Sequence, residues 1–407
     1  MTATRMKRIL SIQPVAERGG SDQALARMVR SLAGGGWECH IALPAPSPMA
    51  EKFAAAGATL HVVPMRRITT SGSPLRWAAY AGAWPVAVTR LAALARRIDA
   101  DVIHSNSLHS WYGWAVATLL RKPHVWHARE IVVQSPTALR LERWLAKHAA
   151  TRVIAISNPV AAQLDGPNVV IVHDEADPDE FSPQQAGVFR AQHGIPDTAP
   201  LVGAVGRIDT WKGLDVLLDA VPTMQAAQPT LQVVIAGPTV LDKEGYADQL
   251  AARAGALPGV HWLGPRSDVA ELLADLDVFV LASTLPEPFG LVVIEALASG
   301  VPVVATAAGG PLEILAEAGP AAGRLIPPED AAELSAAVLS LLGSGETSTS
   351  IRQGRSRLGP EPPTGTVSFA GVFDEVLATR PGVGLGPPHS GGGRGHRPGR
   401  EGQAPTT

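Results

Sequence analysis

The sequence predicts an α/β protein of two Rossmann-like domains facing each other across a cleft, with a Gly/Pro-rich C-terminal tail. Three observations carry that reading. Short β-type runs alternate with helix-length Ala/Leu-rich segments from the first residues to about Leu342, the pattern of parallel sheets joined by crossover helices. The alternation pauses at Asp177-Pro-Asp-Glu-Phe-Ser-Pro183 and then restarts, dividing the pattern near residue 178. At 407 residues the chain is too long for one ordinary core. The expected organisation is a first domain over residues 1–178, a second over 179–342 and an irregular tail over 343–407.

In the first domain the expected strands are Arg8–Pro14, Cys39–Leu43, Leu60–Val63, Val102–Ser105, His124–His127, Val153–Ile156 and Val169–Val172. In the second they are Leu201–Val205, Gln232–Ala236, Val260–Leu263, Val278–Leu281 and Pro302–Ala305. Ligands in open α/β sheets bind beyond the carboxyl ends of the strands, so two such units place the active site between them. Past Leu342 the composition turns to Gly, Pro, Ser and Arg. From Pro381 to Thr407 almost nothing apolar remains to bury, and that stretch is expected to be disordered. One island, 367–378, has helical apolar spacing.

Hydrophobic residues at 46% and charged residues at 17% suit a globular enzyme. A net charge of -3 argues against a nucleic-acid partner held by phosphate neutralisation. The single cysteine, Cys39, excludes an intrachain disulfide and a Cys-based zinc site. Met1 to Leu10 lacks the apolar core and cleavage site of a signal peptide, which places the protein in the cytoplasm. The most membrane-like window, Ala78 to Ala95, is interrupted by Trp84-Pro85 and Arg90 and reads as a buried or interfacial helix. The basic amphipathic stretches Thr89–Arg97 and Leu139–His148 are ordinary helices with a solvated basic side, or faces that touch the inner surface of a membrane.

Chemistry concentrates in Ser283-Thr-Leu-Pro-Glu-Pro-Phe-Gly-Leu-Val-Val-Ile-Glu-Ala-Leu-Ala-Ser-Gly300, which sets Glu287 and Glu295 around the start of one expected helix. Upstream, Val202-Gly-Ala-Val-Gly-Arg-Ile-Asp-Thr-Trp-Lys-Gly-Leu214 puts Arg207 just past a strand and Lys212 at the start of a helix, where the backbone dipole also favours anions. On residue types alone these cations could equally be solvated loop residues, and Glu287 a helix cap. Val303-Val-Ala-Thr-Ala-Ala-Gly-Gly-Pro-Leu-Glu313 ends a strand in Gly309-Gly310, a close-approach loop or a plain turn. Pro14-Val-Ala-Glu-Arg-Gly-Gly-Ser-Asp-Gln-Ala-Leu25 is a strand, a Gly19-Gly20 loop and an N-capped helix starting at Ser21 or Asp22, without the Gly-x-Gly-x-x-Gly spacing of a dinucleotide site. His104 and His127 each end a first-domain strand, where a histidine can meet a sugar hydroxyl or simply pack. Seven of nine tryptophans lie in the first domain, Trp111 among them; they suit sugar stacking or core packing.

As a set, these motifs resemble the paired-glutamate signature of retaining glycosyltransferases of family four, which have the GT-B fold and include sucrose-phosphate synthases. The resemblance covers roughly residues 7 to 342. It implies that Arg207 and Lys212 grip a donor diphosphate, that Glu295 holds the ribose hydroxyls, and that Glu287 lies against the donor sugar. It further implies that Gly19 and Gly20 approach the donor phosphate across the cleft, that Phe289, Gly290 and Leu291 belong to the donor site, and that His127 takes the place of the family's important histidine. His104 and Trp111 are candidates on the acceptor side. The implied activity is transfer of a hexose or related sugar from a UDP- or GDP-linked donor to a hydroxyl acceptor, with retention by front-side attack and with neither metal nor cofactor. A nucleotide-sugar epimerase and a non-catalytic nucleotide-sugar binder remain alternatives, and the chain is expected as a monomer or homodimer. In this family the island at 367–378 would return to the first domain, whereas 343–365 departs from the family's helical Arg/Glu-rich pattern.

Overall fold

The structure is a computed structural model that describes residues 5–17, 19–66, 74–132, 135–240, 242–343 and 368–378. The readings made of 344–367 and of Pro381–Thr407 fall outside those residues.

Two parallel sheets form the frame. The first has seven strands, β1 Lys7–Ile12, β2 Trp37–Leu43, β3 Ala58–Val62, β4 Val102–Ser105, β5 His124–Ala128, β6 Arg152–Ala155 and β7 Val169–Ile171, in the order β3-β2-β1-β4-β5-β6-β7. The second has six, β8 Leu201–Val205, β9 Gln232–Ala236, β10 Val260–Gly264, β11 Val278–Leu281, β12 Val303–Thr306 and β13 Gly323–Ile326, in the order β10-β9-β8-β11-β12-β13. The twelve expected strands are all present, with ends displaced by no more than two residues. β13 was not among them. Its run, Gly323-Arg-Leu-Ile, buries one side chain fully and pairs only with β12 at the sheet edge, so it lacks the apolar run of a central strand.

In both sheets the chain starts in the middle and the strand order reverses there, between β1 and β4 and between β8 and β11. Diverging helices leave a crevice at such a point, beyond the carboxyl ends of the strands. The loops that leave β1, β8 and β11 carry the glycines, cations and carboxylates singled out above.

The helix Gly20–Gly34 buries Leu25, Met28, Val29 and Leu32, an i, i+3, i+4, i+7 stripe, against the first sheet. The chain returns to that sheet in the helix Phe369–Ala378, whose Val372, Phe373 and Val376 join the same core. Phe373 meets Trp37 edge to face at 5.7 Å. Asp374 accepts from Trp37 Nε1 at 3.2 Å and from Lys7 Nζ at 2.7 Å. Pro85 lies inside the helix Pro74–Arg97, and among the described residues no helix is long and apolar enough to cross a membrane.

Candidate active site

Lys212 and Glu287 come together beyond β8 and β11. Lys212 ends a single 3₁₀ turn, Thr210–Lys212, which Asp209 opens by accepting from the Thr210 amide at 2.8 Å. Gly213 follows at φ +65°, and a Cβ there would run into the Ala282 carbonyl, so only glycine lets this loop lie against the end of β11. Lys212 Nζ lies 2.7 Å from Glu287 Oε2 and 4.2 Å over the Trp211 ring. Ser283 Oγ donates to the same carboxylate oxygen at 3.0 Å. Both charged side chains are only 13% exposed. Arg207 is exposed and forms no ion pair among the described residues.

The backbone of Glu287 is held by the next loop. Gly310 N donates to Glu287 O at 2.8 Å, and the Glu287 amide donates to Ala308 O at 3.3 Å. A Cβ at Gly309 or Gly310 would strike the Glu287–Phe289 backbone. The Gly-Gly pair therefore makes its close approach to the carboxylate-bearing loop of this protein. Gly290, at φ +103°, caps the helix Leu291–Ala298, which carries Glu295. The Phe289 ring stacks on His173 at 5.5 Å and lines a cavity of about 200 Å³ between the domains, together with Arg27, Glu313 and Phe369.

The first-domain side is built differently. The helix begins at Gly20 with extended Gly19 as its cap, one or two residues before the expected Ser21 or Asp22. Asp22 is engaged elsewhere: it accepts from Gln13 Nε2 at 3.0 Å, and burial pushes its carboxyl up to about 6. Gly20 faces Leu291, where a Cβ would lie 3.7 Å from its Cδ2, so the glycine loop does meet the second domain. His127 and His104 are wholly buried. The His127 ring packs on Phe369 and His104, and its Nε2 meets Arg129 Nη1 at 3.1 Å. Burial, with Arg129 and His104 beside it, holds His127 well below its ordinary pKa; burial takes His104 down to about 3. His104 Nδ1 is paired with Ser11 Oγ at 3.1 Å. Trp111 is half-buried against two apolar clusters on one face of the first sheet, with its indole N–H unpartnered among the described residues. Both histidines are thus enclosed, and neither ring is exposed to the cleft.

Several pairs cross between the domains. Arg27 Nη2 lies 2.5 Å from Glu295 Oε1. Ser157 Oγ donates to Pro288 O at 2.5 Å, Asn158 N to Glu313 Oε2 at 3.2 Å, and His173 Nε2 lies 3.7 Å from Glu313 Oε2. Within the first domain Arg129 pairs with Asp174, while Glu130 accepts from Ser107 Oγ and from the Leu108 amide. No group of three His, Cys, Asp or Glu residues among the described residues could hold a metal ion.

Comparison with known proteins matches residues 19–172 to the glycosyl transferase 4-like domain and residues 186–356 to glycosyl transferases group 1. The chain belongs to this glycosyltransferase family. It is 32% identical over 242 residues to a D-inositol 3-phosphate glycosyltransferase of Stackebrandtia nassauensis, covering 52% of this chain and 53% of the relative. It is 29% identical over 235 residues to the lipopolysaccharide core biosynthesis mannosyltransferase LpsB of Rhizobium meliloti, covering 52% and 66%. The matched part thus spans between half and two thirds of these relatives' length. The Anabaena protein HepE, solved with UDP and glucose, superposes with a TM-score of 0.76 at 23% identity over 92% of this chain and all of that one, which fixes the GT-B architecture.

For this glycosyltransferase family member, sequence reasoning missed Ser283, Trp211, Arg27 and the Arg129–Asp174 pair. Ser283 and Trp211 lie inside the quoted motifs and could have been found as neighbours of Glu287 and Lys212. Arg27 and Asp174 meet their partners only through the tertiary fold, so no local pattern announces them.

Proposed function

We propose that this chain transfers a sugar from a nucleotide-diphosphate sugar to a hydroxyl acceptor, with retention of configuration. The observation that carries the reading is the Lys212–Glu287 pair, 2.7 Å apart and supported by Ser283 at the switch point of the second sheet. Cleaving a sugar from a diphosphate develops negative charge on the leaving phosphate and positive charge on the sugar ring, so a cation and a carboxylate side by side meet both. Lys212 and exposed Arg207 would neutralise the diphosphate, and Glu287 would face the sugar. The N-termini of Gly20–Gly34 and Leu291–Ala298, brought together at Gly20 and Leu291, offer further backbone donors to phosphate. In this reading neither metal nor cofactor is required, and the leaving phosphate oxygen takes the acceptor proton in a front-side attack. Glu295 would accept the ribose hydroxyls.

The UDP bound to HepE favours a uridine donor, and the LpsB and inositol phosphate relatives favour a hexose and a polyol or glycan acceptor. We place the enzyme in the cytoplasm. The helix Pro136–Ala149 turns Leu141 and Trp144 outward, at 43% and 57% exposure, on the segment that carries Arg140, Arg143 and Lys147, which favours contact with a membrane face. Incubating the protein with UDP- and GDP-sugars and a panel of hydroxyl acceptors should release nucleoside diphosphate together with an α- or β-linked product whose anomeric configuration equals that of the donor. Inversion would refute the mechanism, and conversion of the donor without acceptor would make the protein an epimerase.

A further inference from the structure

Arg27 lies two turns into the helix Gly20–Gly34 and is held by contacts that do not involve Glu295. Its Nη1 donates to the Glu175 carbonyl at 3.0 Å, and its guanidinium lies 5.4 Å over the Phe181 ring. That leaves Nη2 pointing across the cleft at Glu295 Oε1, with the two side chains only 12% and 10% exposed. Among the described residues no group donates to Glu295 Oε2. The helices bearing the two residues also approach at Gly20 and Leu291.

We propose that Arg27 is a positioning residue for the donor: from the opposite domain it fixes Oε1 of Glu295, so that Oε2 is aimed to accept the ribose hydroxyls. This inference rests on the reading that Glu295 receives the ribose. Because the guanidinium and the carboxylate belong to different domains, Glu295 is fully prepared only when the domains are closed, and closure and nucleotide binding then reinforce one another. Charge adds to geometry. Burial pushes the Glu295 carboxyl above its ordinary range, and Arg27 is the largest influence pulling it back. The other charges facing it are Lys52, from the helix Ala50–Ala55, and Glu180; these are bonded to each other at 2.7 Å and act on Glu295 in opposite senses. Without Arg27 the carboxyl would protonate at higher pH and lose its ability to accept from two hydroxyls.

The test is calorimetric titration of the full chain with UDP and GDP between pH 5.5 and 8.5, using wild type, Arg27→Gln, Arg27→Lys, Glu295→Gln and the double variant Arg27→Gln/Glu295→Gln. Arg27→Gln should weaken binding about 10-fold near pH 6 and only about 2–3-fold near pH 8.5, since lowering the pH removes the charge that Arg27 protects. Arg27→Lys should restore most of the loss. The wild type should prefer the nucleotide to its 2′,3′-dideoxy analogue, and Arg27→Gln should erase much of that preference. An equal loss at every pH, or none, would overturn the proposal. The double variant separates the two readings. If Glu295→Gln binds as wild type does, or if neither nucleotide binds wild type, the assignment of Glu295 to the ribose fails and takes the proposal with it. If Glu295→Gln weakens binding while Arg27→Gln does not, only the role of Arg27 fails. In the Glu295→Gln background the Arg27 substitution should cost nothing more.

Discussion

The two sides of the cleft are made in different ways. On the second-domain side, Lys212, Ser283 and Glu287 lie on two loops that leave neighbouring strands, the first shaped by Gly213 and the second by Pro286, Pro288 and Gly290. On the first-domain side, the charged and aromatic groups near the cleft are gathered by long-range pairing: Arg129 with Asp174, Arg27 with Glu295, and His127 enclosed by a phenylalanine from the helix Phe369–Ala378. The lesson is that a site built from strand-end loops can be read locally, whereas one built by helix docking and the returning terminus cannot.

The strongest way to break this comparison is to neutralise the second-domain pair. Lys212→Gln and Glu287→Gln should each lower kcat by about 10²–10³-fold, the cost of losing one electrostatic stabiliser, while circular dichroism stays unchanged; near-normal turnover would remove the second domain from the chemistry. Next comes the enclosure of the first-domain histidines. Phe373→Ala empties a space among Trp37, His104 and the first sheet, and should cost about 3–5 kcal/mol in denaturant unfolding. A loss under about 1 kcal/mol would mean the terminal helix does not seal that core.

A third comparison concerns ionisation. Because His127 is neutral and lies well below its ordinary pKa, His127→Asn should leave the shape of the activity profile between pH 5.5 and 8.5 unchanged, even if it alters the level. A limb that disappears in the variant would show that this histidine titrates in the working enzyme. The smallest effect is expected at the domain junction. Glu313 holds His173 above its ordinary pKa, so their pairing stabilises the fold fully below the unfolded histidine pKa and fades as pH rises through the raised value. His173→Gln should therefore cost less than about 1 kcal/mol near pH 5.5 and nothing near pH 9. A cost that persists at high pH would trace to the His173–Phe289 stacking instead.

Much of the frame was legible because parallel strands buried on both faces read as unbroken apolar runs, such as Val278-Phe-Val-Leu281 and Val233-Val-Ile-Ala236. β13 was not legible because an edge strand bearing Gly323 and Arg324 has no such run. The Lys212 and Glu287 loops were legible from glycine, proline and charge within a few residues. The environment of His127 was not: its neighbours Phe369 and Arg129 come from a helix far along the chain and from the loop just past its own strand, and only packing decides that the ring is closed off from the cleft. The stacking of Phe289 on His173 in the interdomain cavity was not legible either, because that contact is set by the docking of the two domains.

The most direct test of the central claim is a crystal structure of the protein with a bound UDP- or GDP-sugar. The account expects diphosphate oxygens within hydrogen-bond distance of Lys212 Nζ and Arg207, with the sugar against Glu287. A donor seated away from both loops, with the Lys212–Glu287 pair undisturbed, would contradict it.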